Sequence, residues 1–95
     1  MMKKYEVVFI LKQLEEETIE ANILKFETLL KNSGAVIEEI NRWGKRRLAY
    51  EIKKHREGFY TIVTFSAEPK AVFELERVMK ITDDVLKYMV INLDE

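Results

Sequence analysis

The sequence predicts an α+β sandwich in the order βαββαβ, a four-stranded antiparallel sheet with two helices on one face. This is the split βαβ, or ferredoxin-like, arrangement. Three observations carry the prediction. Four segments are rich in β-branched and aromatic residues: Tyr5–Leu11, a long stretch from Ala35 to Ile52, Phe59–Phe65 and Val85–Leu93. Two intervening segments repeat apolar residues every three or four positions, the period of a helix with one buried face. The elements fall as β-α-β twice over, which is compatible with a distant internal duplication, although the residues themselves do not repeat. With 95 residues the chain is expected to form one domain, residues 1–95.

Tyr5–Leu11 (YEVVFIL) is apolar on both faces, as expected of a central strand. The acids Glu15, Glu16 and Glu17 then open the first helix, where negative charge complements the positive end of the helix dipole. Ile19, Ile23, Phe26 and Leu30 form its apolar stripe, and Asn32-Ser33-Gly34 ends it, with Gly34 expected in a left-handed cap. The second strand starts at Ala35 and runs into a basic stretch. Val36, Ile40, Leu48, Tyr50 and Ile52 share one parity; Trp43, Lys45, Arg47, Ala49 and Glu51 share the other. Gly44 breaks the middle, and a strand glycine marks a bulge or a close backbone approach. A bulge would swap the faces beyond it, so parity alone does not decide which charges point together.

Lys53–Gly58 (KKHREG) reads as a polar turn, and Phe59–Phe65 (FYTIVTF) is the strongest strand signal in the chain. Pro69 suits the first turn of a second helix. Val72, Leu75 and Met79 form the stripe of that helix, flanked by Phe73 and Val78. Thr82-Asp83-Asp84 is a turn before the last strand. In this topology strands 1 and 3 lie inside and strands 2 and 4 at the edges, so the basic strand 2 is expected on an edge. Nothing in the chain is expected to cover the sheet face away from the helices.

Charge is segregated. The chain carries −1 overall, yet Arg42–Arg56 holds seven basic residues (Arg42, Lys45, Arg46, Arg47, Lys53, Lys54, Arg56) and one acid, Glu51, a local +6. Such blocks give a basic patch on an otherwise acidic surface. Two readings are open: an edge strand protected from aggregation by its charges, or an RNA-binding edge. There is no cysteine, so disulfides and thiolate metal sites are excluded. The apolar run Val7–Leu11 is too short for a signal segment or a membrane span. The single histidine, His55, lies between Lys54 and Arg56, which would repel a metal, and reads as an exposed turn residue. Catalysis has no visible basis: there is no nucleophile elbow and no phosphate-cradling glycine loop. Acylphosphatase-like enzymes need such a loop after strand 1, where this chain has LKQLE (Leu11–Glu15). The segment Glu57–Phe65 partly echoes the strand of an RNA recognition motif. However, Glu57 stands where a cation is required, and Thr61 and Ile62 replace the second small and aromatic positions. A regulatory ferredoxin-like module is the alternative class; it would need a ligand loop at the strand ends or a second copy.

The run Gly44-Lys45-Arg46-Arg47-Leu48-Ala49-Tyr50-Glu51-Ile52-Lys53 resembles the signature of the bacterial small-subunit ribosomal protein six family: a glycine, polar or basic residues, then Leu-Ala-Tyr-x-Ile and a basic residue. Tyr5-Glu6, Gly58-Phe59-Tyr60 and Met89-Val90 resemble its flanking strands, so the likeness spans essentially the whole chain. The resemblance implies a ferredoxin-like fold and no chemistry or cofactor. It implies a structural role in translation, pairing with small-subunit ribosomal protein eighteen on the central domain of small-subunit rRNA. Neither a membrane nor a small-molecule substrate is implied. Some members carry a long acidic C-terminal tail; the sequence ends at Glu95, so functions of that tail are not expected. No transit peptide is visible, which favours a bacterial cytoplasm.

On this reading Arg42, Lys45, Arg46 and Arg47 are expected to meet phosphates, because an arginine fork can donate two hydrogen bonds to one phosphate. Lys3 and Lys4, at the start of strand 1, are expected to extend the patch. Trp43 either stacks on a base or partner, or caps the core. Leu48, Tyr50 and Ile52 either pack in a core or contact the partner protein.

Overall fold

In the computed structural model, which describes residues 1–94, the elements are β1 (Lys3–Leu11), α1 (Glu16–Asn32), β2 (Val36–Ile52), β3 (His55–Ala67), α2 (Pro69–Ile81) and β4 (Val85–Asn92). Glu95 lies outside the described residues. The four strands form one antiparallel sheet in the order β2-β3-β1-β4. The two most apolar strands are therefore central and the basic strand is an edge, as the sequence predicts.

Both helices lie on one face because their stripes share one core with alternate residues of the inner strands. Ile19, Ile23, Phe26 and Leu30 from α1 and Ala71, Val72, Leu75 and Met79 from α2 pack on Tyr5, Val7, Phe9, Leu11, Val63 and Phe65. Phe9 meets Phe26 edge-on at 5.3 Å, and Tyr5 stacks on Phe65 at 5.7 Å, both ordinary aromatic geometries. Burying each such ring contributes roughly 1.5–3 kcal/mol. Phe73 is exposed and does not join this core, whereas Val78 packs against it.

The ends of α1 follow from its sequence. Gly34 has φ +89°, and the Ala35 and Gly34 amides donate to the Leu30 and Lys31 carbonyls (2.9 and 3.1 Å), closing a left-handed C-cap. The buried Asn22 side chain donates to the Thr18 carbonyl and to Asp84 Oδ2 (3.1 and 3.0 Å), tying α1 to the turn before β4.

Strand β2 departs most from a regular ladder. Its pairing with β3 shifts between Ile37 and Glu39, between Arg42 and Gly44, and between Arg47 and Ile52. Gly44 has φ +87°, so it is the bulge anticipated from the sequence. The shifts send same-parity residues to different faces. Ile40 lies opposite Val63 on the helix side, whereas Val36 lies opposite Ser66 on the far side.

Two expectations need correction. The turn is not Lys53–Gly58: Ile52 already pairs with His55, so only Lys53 and Lys54 form the loop, with φ +49° and +69°. Positive φ at both central residues is the mark of the tight hairpin turn whose twist matches that of its strands. Gly58 lies buried inside β3, and glycine is required there because a Cβ would run into Ile10 Cγ2 and approach the Leu11 carbonyl oxygen to 3.0 Å.

The face away from the helices is also not bare. Between Arg47 and Ile52, four residues of β2 face the single Arg56 of β3, and this slack lets the strand fold back over the sheet. Leu48 there joins Ile10 and Leu86 in a second small core, with Ile52 and Tyr60 packed beside it. Lys53 Nζ reaches the Val85 carbonyl (3.4 Å) and draws the hairpin tip toward β4.

Candidate nucleic-acid interface

The bulge at Gly44 decides which side of the sheet each basic residue serves. Before it, Arg42 lies opposite the buried Thr61, on the helix side. There its guanidinium donates to both carboxylate oxygens of Glu20 on α1, at 2.8 and 2.9 Å. The hydrogen bond to Glu20 raises the Arg42 pKa above its ordinary value. Past the bulge, Arg46 lies opposite Gly58 on the open face. Trp43, at the bulge itself, also turns to that face. Its indole stacks on Tyr60 with centroids 6.5 Å apart, and the Arg46 guanidinium lies 5.8 Å from the Trp43 ring. Stacked ring, ring and guanidinium form a short platform.

The other expected residues divide among three environments. Lys45 pairs with Glu57 at 3.3 Å and Lys4 with Glu38 at 3.1 Å, so both carry a counter-charge within the chain. Hydrogen bonds from Lys4 and then Ser66 hold the Glu38 carboxyl below its usual pKa. Lys3 lies opposite Ala67, half-buried. Arg46 and Arg47 have no ion pair among the described residues. As neighbours on an uninterrupted piece of strand, they point to opposite sides. The seven expected RNA contacts are therefore not one patch.

Leu48 is buried in the second core, which supports the packing reading for that residue. Ile52 is half-buried against the same cluster. Tyr50 is 60% exposed and receives the Lys87 ammonium: Nζ donates to the hydroxyl oxygen at 2.7 Å and lies 5.3 Å from the ring centroid. That hydroxyl contact raises the Lys87 pKa.

Sequence reasoning missed Tyr60, Lys87 and Met89 as members of this face. Val8, Ile10, Tyr60 and Met89 line a shallow apolar cavity of about 150 Å³ beside Lys87. Met89 and Ile91 project from β4 onto the same side, opposite Val8 and Glu6, and both are exposed. The signal was available in the alternation of β4, once the Val8–Met89 register is known. The open face thus presents aromatic and sulfur-bearing surface rimmed by cations. Among the described residues no group of three histidine or acidic side chains could hold a metal, and no helix is long and apolar enough to cross a membrane.

Comparison with known proteins gives a family for this geometry. The family described as Ribosomal protein S6 matches residues 4–92. The small ribosomal subunit protein bS6 of Clostridium beijerinckii is 49% identical over 92 residues, covering 96% of this chain and 97% of that protein. The bS6 protein of Desulforamulus reducens is 47% identical over 95 residues, covering 99% of this chain and all of that protein. The crystal structure of the 30S ribosomal protein S6 from Thermotoga maritima superposes with a TM-score of 0.92 at 28% identity, covering 97% of this chain and 88% of that one. Matches of this length in sequence and in fold leave one assignment: the chain belongs to the ribosomal protein S6 family, non-enzymatic proteins of the small ribosomal subunit with a structural role in translation.

Proposed function

We propose that this chain binds the central domain of small-subunit rRNA together with small-subunit ribosomal protein eighteen, using the open sheet face and the β2–β3 hairpin. The observation that carries the proposal is the Tyr60–Trp43–Arg46 platform. It joins exposed aromatic surface to a guanidinium that no carboxylate of the described chain neutralises. Stacking surface beside a free arginine suits an unpaired base and its phosphate, recognised by shape and backbone. Tyr50, Met89 and Ile91 extend the face with exposed apolar area, which suits the protein partner. Arg46 and Arg47 supply phosphate contacts from the two sides of the edge strand. Arg42, Lys4 and Lys45 would each have to leave an internal carboxylate to do the same, so they are weaker contributors.

Trp43 is the only tryptophan, so its fluorescence reports on the platform. Adding the partner protein and then a central-domain transcript is expected to shield Trp43 from iodide quenching. Charge reversal at Arg46 and Arg47 is expected to block incorporation into small subunits while leaving the circular dichroism unchanged. Normal incorporation of that folded variant would sink the proposal.

A further inference from the structure

Resting on the ribosomal reading above, we propose that the cleft at the tip of the β2–β3 hairpin is a second RNA-backbone site. Gln13, Arg47, Lys54, His55 and Arg56 would hold a phosphodiester there, separate from the Trp43–Arg46 platform. The cleft measures about 430 Å³ and is open to solvent. Five of its six lining side chains can donate hydrogen bonds, and the sixth, Glu57, has its carboxylate engaged by Lys45 at 3.3 Å. The chemistry of the lining is therefore that of an anion site.

The charge across the hairpin points the same way. Between Lys45 and Glu57 there are six cations and two acids. The acids pair with Lys45 and Arg56. Among the described residues this leaves Arg46, Arg47, Lys53 and Lys54 without a carboxylate in ion-pair range, a net 6 − 2 = +4. The Arg56–Glu51 pair is long, 3.6 Å, and both side chains are exposed, so Arg56 can exchange Glu51 for a phosphate at little cost.

The backbone supplies an independent observation. Lys53 and Lys54 both hold φ values that side-chain-bearing residues avoid, at a turn where asparagine and glycine are the residues of choice. Strained positions of this kind cluster at functional sites. Here the strain turns Lys53 back onto the Val85 carbonyl and leaves Lys54 lining the cleft. Because Arg46 and Arg47 point to opposite sides of β2, one phosphate cannot take both. The RNA backbone would grip the hairpin at two places.

The test uses the full chain with its protein partner and a central-domain rRNA transcript, with affinity measured across a range of salt. For Lys54→Gln/Arg56→Gln, the slope of log affinity against log salt is expected to fall by about 1, for the one phosphate no longer neutralised. Lys31→Gln/Lys70→Gln, the same charge change elsewhere on the surface, is expected to leave the slope unchanged. An unaltered slope for the tip variant, with Arg46→Gln still weakening binding, would overturn the second site and leave the ribosomal reading standing. Equal effects from both double variants would overturn it as well, since the response would then be general charge. If the unmodified chain does not bind the transcript, both readings fail together. A separate titration with inorganic phosphate, followed by NMR at the Gln13 side-chain amide, distinguishes the source of the anion. Phosphate binding there without any loss of RNA affinity in the tip variant would make the cleft a free-anion site and refute the RNA assignment.

Discussion

Arg42 on the edge strand and Glu20 on α1 are joined by two parallel N–H···O bonds, 2.8 and 2.9 Å long, that clamp the strand to the helix layer. An arginine at the head of a basic block looks in sequence like an RNA ligand; in the fold it is a brace. Both side chains are more than two-fifths exposed, so solvent screens the pair. A double-mutant cycle of Arg42→Gln and Glu20→Gln, followed by urea denaturation, is expected to give a coupling of about 0.5–1 kcal/mol. Arg42→Gln should cost less RNA affinity than Arg46→Gln. A larger RNA defect at Arg42 would mean that the clamp opens on binding.

Leu48 and Tyr50, two residues apart, have been separated by the fold into different duties. Leu48 is 8% exposed in the second core and Tyr50 is 60% exposed. Leu48→Ala is expected to destabilise the chain by about 2 kcal/mol or more. Tyr50→Ala should cost under about 1 kcal/mol, since surface substitutions have small effects, and should weaken binding of the partner protein. Thermal melts and a pull-down with the partner read both effects. Equal destabilisation by the two would show that Tyr50 is structural.

At Gly58 the relevant quantity is space. A methyl group there meets Ile10 Cγ2 and the Leu11 carbonyl oxygen, one a buried side chain and the other backbone. Gly58→Ala is expected to cost roughly 1–3 kcal/mol by overpacking. Combining it with Ile10→Ala, which removes Cγ2, should recover part of that loss, the double variant costing less than the sum of the two single ones. No recovery would place the obstruction at the Leu11 backbone instead.

The helices, the central strands and the edge position of the basic strand were legible because each rests on periodicity within one element. Ile19, Ile23, Phe26 and Leu30 repeat at helical spacing, and all four are buried. The distribution of charge over the two faces was not legible, because it depends on three register shifts between β2 and β3. Only one of these, at Gly44, leaves a mark in the sequence. The slack between Arg47 and Ile52 has no glycine or proline to announce it. Its cause is tertiary: Leu48 gains a buried site beside Ile10 and Leu86, residues distant in sequence. The sequence makes the turn look too broad for a related reason. Lys53-Lys54 lacks the residues that favour positive φ, and the glycine nearby, Gly58, is needed for packing instead.

Three surface carboxylates, Glu38, Glu74 and Asp83, have pKa values lowered chiefly by hydrogen bonds from Lys4, Arg77 and Lys12 respectively. A carboxylate with a lowered folded pKa contributes stability above its unfolded pKa. That contribution is lost as pH falls through the lower folded value. Stability should therefore decline on acidification from the ordinary carboxylate range downward. The triple variant Glu38→Gln/Glu74→Gln/Asp83→Asn should show a shallower acid limb, and about 1 M salt should flatten that of the parent. An acid limb unchanged by the substitutions would assign acid unfolding to other carboxylates.

The hairpin turn sets folding against the proposed anion site. Two lysines at φ +49° and +69° cost roughly 1–2 kcal/mol each relative to residues at ease there. Asn-Gly is the pair this turn favours. Lys53→Asn/Lys54→Gly is therefore expected to raise stability by roughly 1 kcal/mol, offset in part by removal of the Lys53 hydrogen bond to the Val85 carbonyl. The same variant should bind the rRNA transcript with a smaller salt slope. A gain in one property with a loss in the other is what a strained site kept for its charge requires. Gain without loss would mean that the lysines serve only solubility, and loss of both would mean that Lys53 anchors the tip more strongly than the strained backbone opposes it.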